Sequence, residues 1–154
     1  MPDLRFRKAQ RDDLPFILTL IRDDSLVASV DDPARADDPA YRDAFAAIAA
    51  DPNQMLLIAE EDGRPVGTFQ LTFTPGLAYR GAWRATIEAV HVVPDRRSAG
   101  IGAAMMRHAL DLSRARGCAI AQLTSNKARL RAHAFYDRLG FVRSHESFKY
   151  DLVK

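Results

Sequence analysis

The sequence predicts an α/β protein built on a mixed β-sheet. Apolar residues recur at period 2 in some stretches and near period 3.6 in others, which reads as strands interspersed with helices. The middle strands follow one another through turn signals, whereas the later ones are separated by helical stretches. Hairpins make antiparallel neighbours and helical crossovers make parallel ones, so one sheet carries both.

The elements follow in order. Leu4 and Phe6 alternate with Arg5 and Arg7, a first strand. Asp12-Asp13-Leu14-Pro15 opens a helix, with Asp as cap and Pro in the first turn, and Phe16, Ile17, Leu20 and Ile21 form its apolar face. Residues 23–40 hold six aspartates, two prolines and one arginine, a solvated loop or a broken helix entry. Residues 40–50 are an alanine-rich second helix, with Phe45 and Ile48 three apart. Met55–Ala59 is a buried strand, and Asp62-Gly63 is a hairpin turn. Phe69, Leu71 and Phe73 alternate with polar residues in a third strand, and a fourth runs from about Arg84 to Val93. Pro94 stops it. A helix then follows Gly100 and Gly102 and ends at Gly117. Ala119–Thr124 is a fifth strand, and residues 129–139 form a helix closed by Gly140, with Phe141 placed for a Schellman contact. Phe148, Tyr150 and Leu152 at period 2 predict a last strand. The order is β-α-α-β-β-β-α-β-α-β.

Composition narrows the class. The chain has 154 residues, 47% hydrophobic and 27% charged, which fits one domain, 1–154, and excludes disordered and collagen-like chains. Lys and Arg number 22 against 20 Asp and Glu, a formal charge of +2, so nucleic acid is not an expected partner. The one cysteine, Cys118, forms neither an internal disulfide nor a multi-cysteine metal site. The start lacks the apolar core of a secretory signal, and no apolar run approaches the roughly 20 residues of a membrane helix. A cytoplasmic protein off the membrane is expected.

Chemistry concentrates in residues 88–103. A strand ends at Pro94, a short loop carries Arg96, Arg97, Gly100 and Gly102, and a helix follows. Free amides at a helix N-terminus, together with its dipole, favour an anion there. The pattern is not a P-loop, because no Gly-Lys-Ser/Thr follows, nor a Rossmann fingerprint, because Met105 stands where a third glycine belongs.

Val92-Val93-Pro94 followed by Arg97-Ser98-Ala99-Gly100-Ile101-Gly102 resembles the acyl-CoA signature of the GNAT N-acetyltransferases, Gln/Arg-x-x-Gly-x-Gly/Ala after Val-x-Pro. Ala132-His133-Ala134-Phe135-Tyr136-Asp137-Arg138-Leu139-Gly140-Phe141 resembles their late helix. With the element order, the resemblance covers essentially the whole chain and implies a central splayed mixed sheet flanked by helices. It implies acetyl-CoA as co-substrate, no metal, and direct transfer to an amine. Pantetheine would pair with the backbone of Val90, His91 and Val92. The pyrophosphate would take amides of Arg97, Ser98, Ala99, Gly100, Ile101, Gly102 and Ala103. His91 itself reads as a strand residue packed beneath a helix.

By the same resemblance, Tyr136 protonates the departing thiolate. A phenol with a pKa of about 10 can donate to a thiolate whose acid lies near 8.5. An alkyl ammonium of pKa about 10.4 must lose a proton before it attacks, and Glu88 is the candidate base, acting through water. Regular alternation puts Glu88 on the face of Val90 and Val92, away from His91, with Thr86 and Arg84 as its neighbours. The family's CoA-contacting Asn is replaced by Arg129. Either Asn126 takes that role, or Arg129 and Lys127 meet CoA phosphates.

The reading is an acetyl-CoA-dependent N-acetyltransferase acting on a small-molecule or amino-acid-like amine. The alternatives are an acyl-CoA-binding module without catalysis, or an enzyme that acetylates a protein or peptide. The acidic stretch 23–38, at a local charge of −5, would border a cationic acceptor or simply be a solvated loop. The family's frequent dimers make a homodimer the assembly to test.

Overall fold

A computed structural model describes residues 3–153 and divides the chain into two compact units, residues 1–122 and residues 123–154. The first unit holds β1 (Leu4–Lys8), α1 (Leu14–Asp23), α2 (Pro39–Ala50), β2 (Gln54–Glu61), β3 (Arg64–Thr74), a single turn α3 (Ala78–Gly81), β4 (Trp83–Val92), α4 (Ile101–Ala115) and β5 (Cys118–Gln122). The second holds α5 (Leu130–Arg138). The five strands form one sheet in the order β1-β2-β3-β4-β5. The first four are antiparallel neighbours and β5 runs parallel to β4. This is the mixed sheet that the hairpin and crossover signals predict.

The turn chemistry explains the hairpin between β2 and β3. Asp62 and Gly63 both have positive φ, 51° and 82°, and Glu61 pairs with Arg64 across them. Two left-handed residues give the twist that antiparallel strands need. The opening of α1 differs from expectation. Asp13 stands before the helix, but its carboxylate does not cap it. It accepts instead from the Gln10 amide at 2.6 Å and from both Nη atoms of Arg7, at 2.7 and 2.8 Å. Arg7 also reaches Glu60 of β2. This triad fixes the β1–α1 corner, and the paired Arg7 guanidinium holds the nearly buried Asp13 carboxyl below its usual range.

Alternation assigns the two faces of the sheet. A side chain on Gly67 would press on Met105 of α4, so Gly67, Phe69, Leu71 and Phe73 face α4. There Phe69, Leu71, Phe73, Met105, Met106 and Ala109 form a buried core. The opposite face carries Ile58, Thr68 and Gln70, and α1 buries Leu14, Ile17, Leu18 and Leu20. Phe16 and Ile21, expected on that apolar stripe, are half-buried, because the stripe turns toward Leu14 and Leu18.

The acidic stretch after α1 partly organises itself. Asp32 caps a short helical turn by accepting from Ala34 N at 2.9 Å, and Tyr41 Oη donates to Asp31 at 2.7 Å. Among the described residues the second unit has no strand. Residues 141–153 are neither strand nor helix, and Phe148, Tyr150 and Leu152 are 88–89% exposed. The expected last strand is therefore absent. Period-2 alternation states which face a strand would show, but a strand exists only when a neighbour takes its backbone hydrogen bonds.

Candidate active site

β4 is the element that makes the site. It pairs with β5 only from Trp83 to Thr86, opposite Cys118–Gln122, so among the described residues the edge of residues 87–92 on that side has no strand beside it. Val93 N donates to Val66 O of β3 at 2.9 Å, and His91 O lies over Gly67 of β3. Alternation then turns the peptide groups of Val90 and Val92 to the open edge. His91, expected to offer backbone there too, directs its carbonyl to β3 instead.

A bulge interrupts β4. Glu88 pairs with Gln70 and His91 pairs with Thr68, so Ala89 and Val90 together oppose Phe69. Ala89 has φ +51°, a left-handed conformation that glycine usually takes. Regular alternation would put Glu88 and His91 on opposite faces. The extra residue reverses this. Thr68 and Gln70 share a face, and directly paired residues share theirs, so Glu88 and His91 both lie on the α1 face. The expectation that Glu88 faces away from His91 is thus overturned. Glu88 is exposed, and its expected neighbour Thr86 takes a hydrogen bond from Gln122 at 3.2 Å.

His91 is mostly buried, and its Nδ1 lies 2.8 Å from Oδ2 of Asp24, the residue that ends α1. A carboxylate can only accept, so Nδ1 is the donor. Asp24 Oδ1 is also 3.7 Å from Nη2 of Arg97. Arg97 Nε donates to Val92 O on the open edge at 3.1 Å. Arg96 turns elsewhere and meets Glu61 at 2.7 Å. Asp24 was legible only as one aspartate of an acidic stretch. It stands 67 residues from His91, and no local pattern links the two.

The loop after β4 has the form of an anion cradle. Ser98 and Gly100 have φ +62° and +86°, and Gly100 is the N-cap of α4. Alternating handedness turns successive N–H groups to one side. The first intrahelical bond runs from Ala104 N to Gly100 O at 3.1 Å, so the amides of Ile101, Gly102 and Ala103 are left to other acceptors. Among the described residues, no atom beyond its own chain neighbours and the adjoining helix backbone lies within 4 Å of where a Cβ on Gly100 would stand. The cradle and the open strand edge fit a cofactor with an extended amide arm and a pyrophosphate. Among the described residues no three His, Cys, Asp or Glu side chains gather as metal ligands.

The second unit holds the other sequence-expected residues. Gly140 (φ +97°) closes α5, with Gly140 N donating to Asp137 O and Phe141 N to Tyr136 O, both at 3.1 Å. This is the Schellman motif, and its hydrophobic contact is the edge-to-face pair of Tyr136 and Phe141, with ring centres 5.9 Å apart. Asn126 folds an Asx turn, its Oδ1 accepting from Ala128 N at 2.9 Å, while its backbone oxygen takes His133 Nε2 at 2.8 Å.

A model of the acetyltransferase (GNAT) family matches residues 10–141. The chain belongs to the GNAT family. The match takes in β4, the cradle and the α5 motif. Among GNAT relatives, the aminoalkylphosphonate N-acetyltransferase of Salmonella typhimurium is 34% identical over 109 residues, 71% of this chain and 70% of the relative. The glucosamine 6-phosphate N-acetyltransferase of Trypanosoma brucei brucei is 38% identical over 84 residues, 54% of each chain. A crystal structure described as a transcriptional regulator from Bacillus halodurans C-125 superposes with a TM-score of 0.92 at 37% identity, covering 97% of this chain and 100% of that one. This GNAT protein is an acetyltransferase. Among the described residues, no helix is long and apolar enough to cross a membrane.

Proposed function

We propose that this GNAT protein transfers the acetyl group of acetyl-CoA to the primary amine of a small molecule, working as a single catalytic domain in the cytoplasm. The observation that carries the reading is the pairing of the open edge at Val90 and Val92 with the amide cradle of residues 97–103. Together they suit pantetheine and pyrophosphate at successive positions along the chain. When bound, acetyl-CoA supplies an activated acyl group with a thiol leaving group. The protein's part is to align it and to manage protons.

Glu88 is exposed on β4 beside the bulge, where a carboxylate draws in an ammonium ion and takes its proton, directly or through water. Tyr136 is the proton donor to the leaving thiolate by its place in the Phe-Tyr motif. Asn126 retains its side-chain amide donors, since its carbonyl oxygen is engaged in the turn. Two relatives act, by name, on amines that also bear a phosphonate or a phosphate. The acceptor search therefore starts with aminoalkylphosphonates and amino-sugar phosphates. The test is release of free thiol from acetyl-CoA with such a panel. Release that depends on the acceptor supports the enzyme. Binding of CoA without release under any acceptor would support an acyl-CoA-binding module, and a preference for peptides would support a protein acetyltransferase.

A further inference from the structure

A proton taken from the acceptor amine has to leave the site before the next turnover. Three observations converge on a route. The bulge at Ala89 puts Glu88 and His91 on one face, opposite Gln70 and Thr68. Their cross-strand partners are two residues apart, so the two side chains stand roughly 7 Å from each other along the strand. Next, Nδ1 of His91 donates to Asp24, which leaves Nε2 as the lone-pair nitrogen of the neutral ring. Finally, Asp24 is a carboxylate at the C-terminal end of α1, where the helix dipole opposes a negative charge. Stability alone does not favour an aspartate there. Its neighbours there include the Nδ1–H of His91 at 2.8 Å and the Arg97 guanidinium at 3.7 Å.

We propose that His91, oriented by Asp24, is a proton relay that receives the acceptor's proton from Glu88 and passes it to bulk water. The inference rests on the acetyltransferase reading. The ammonium N–H bond breaks and its electron pair stays on nitrogen. The proton moves to the Glu88 carboxylate and then, through water, to Nε2 of His91. Asp24 stabilises the imidazolium formed, and the proton leaves to solvent or buffer, restoring both groups. Asp24 is a positioning residue, since it acts only through the ring. The charged groups placed near the ring include Asp24 at the end of α1, Arg97 of the loop and, by register on its own strand, Glu88. Its cross-strand partner Thr68 of β3 is uncharged.

The test compares wild type, His91→Ala and Asp24→Asn across pH, with acetyl-CoA and a primary amine. His91→Ala is expected to lower kcat about tenfold or more at neutral pH, while KM for acetyl-CoA stays within about twofold. Added imidazole is expected to restore much of the loss, as a purely structural defect would not allow. Asp24→Asn is expected to lower kcat less, because the ring remains but its tautomer is no longer fixed. Independently of activity, nitrogen-15 NMR of the free protein is expected to show His91 protonated at Nδ1 in wild type, and a mixture of tautomers in Asp24→Asn. Undiminished turnover in His91→Ala would overturn the relay and leave the acetyltransferase standing. So would a loss that imidazole does not restore and that follows a loss of acetyl-CoA binding. Wild type that releases no CoA with any amine would overturn the acetyltransferase reading, and the relay with it.

Discussion

Glu88 and His91 are three residues apart in β4 yet share a face of the sheet, because Ala89 and Val90 together oppose the single residue Phe69. The bulge makes one site of a carboxylate and an imidazole that regular alternation would separate. It depends on a left-handed alanine, with φ +51°. A β-branched side chain clashes in that conformation more than alanine does, so Ala89→Val is expected to add to the ~1–2 kcal/mol that a left-handed L-residue already costs. Thermal unfolding should drop by about 4 °C or more, and turnover should fall as Glu88 and His91 lose register. Ala89→Gly should keep activity, with stability within about 1 kcal/mol of wild type.

A second prediction concerns the close packing behind the site. A Cβ on Gly67 would lie 2.7 Å from Met105 Sδ and 3.0 Å from the carbonyl oxygen of His91. The methionine tip can move, but the β4 backbone cannot without shifting His91. Gly67→Ala is expected to destabilise the fold by about 1–3 kcal/mol, read as a lowered urea midpoint at unchanged slope.

Tyr136 is held at the end of α5 by ring contacts with Phe135 and Phe141. Those contacts do not need the hydroxyl. Tyr136→Phe keeps both ring contacts. As general acid, its loss should lower kcat by roughly 10²-fold, with KM for acetyl-CoA within about twofold. An unchanged kcat across pH would remove the acid role.

His108 of α4 stacks on Phe6 of β1 with ring centres 4.2 Å apart, and burial holds its imidazole below the ordinary value, against the pull of Asp111. The neutral ring is thus the folded form. Its stabilisation is complete above the unfolded histidine pKa of about 6.5, and is lost as pH falls from there toward the depressed folded value. His108→Phe keeps the stack without the titration. Urea midpoints at pH 7.5 and 5.5 should differ more in wild type than in His108→Phe.

Much of this architecture was legible where local chemistry settles the backbone. Asp62-Gly63 adopts the two left-handed residues that its hairpin needs, Gly100 takes the left-handed turn before α4, and Gly140 with Phe141 closes α5 as the sequence implies. Long-range and non-periodic features were not legible. A bulge adds one residue without changing composition, so alternation carried Glu88 to the wrong face. Asp24 and His91 meet only because α1 ends over β4. The run at Phe148, Tyr150 and Leu152 alternates as a strand does, yet nothing in its own residues supplies the neighbour a strand requires. The left-handed turn at Tyr79 and Arg80 has no glycine or asparagine at those two positions to announce it.

Acetyl transfer from acetyl-CoA to a small amine is tested most directly by steady-state release of free CoA. Release from acetyl-CoA alone is expected to be slow, with a rate that rises and saturates when an aminoalkylphosphonate or another primary amine is added and one acetylated amine formed per CoA. A rate that stays at the acceptor-free level across the amine panel, while acetyl-CoA still raises the melting temperature, would contradict it.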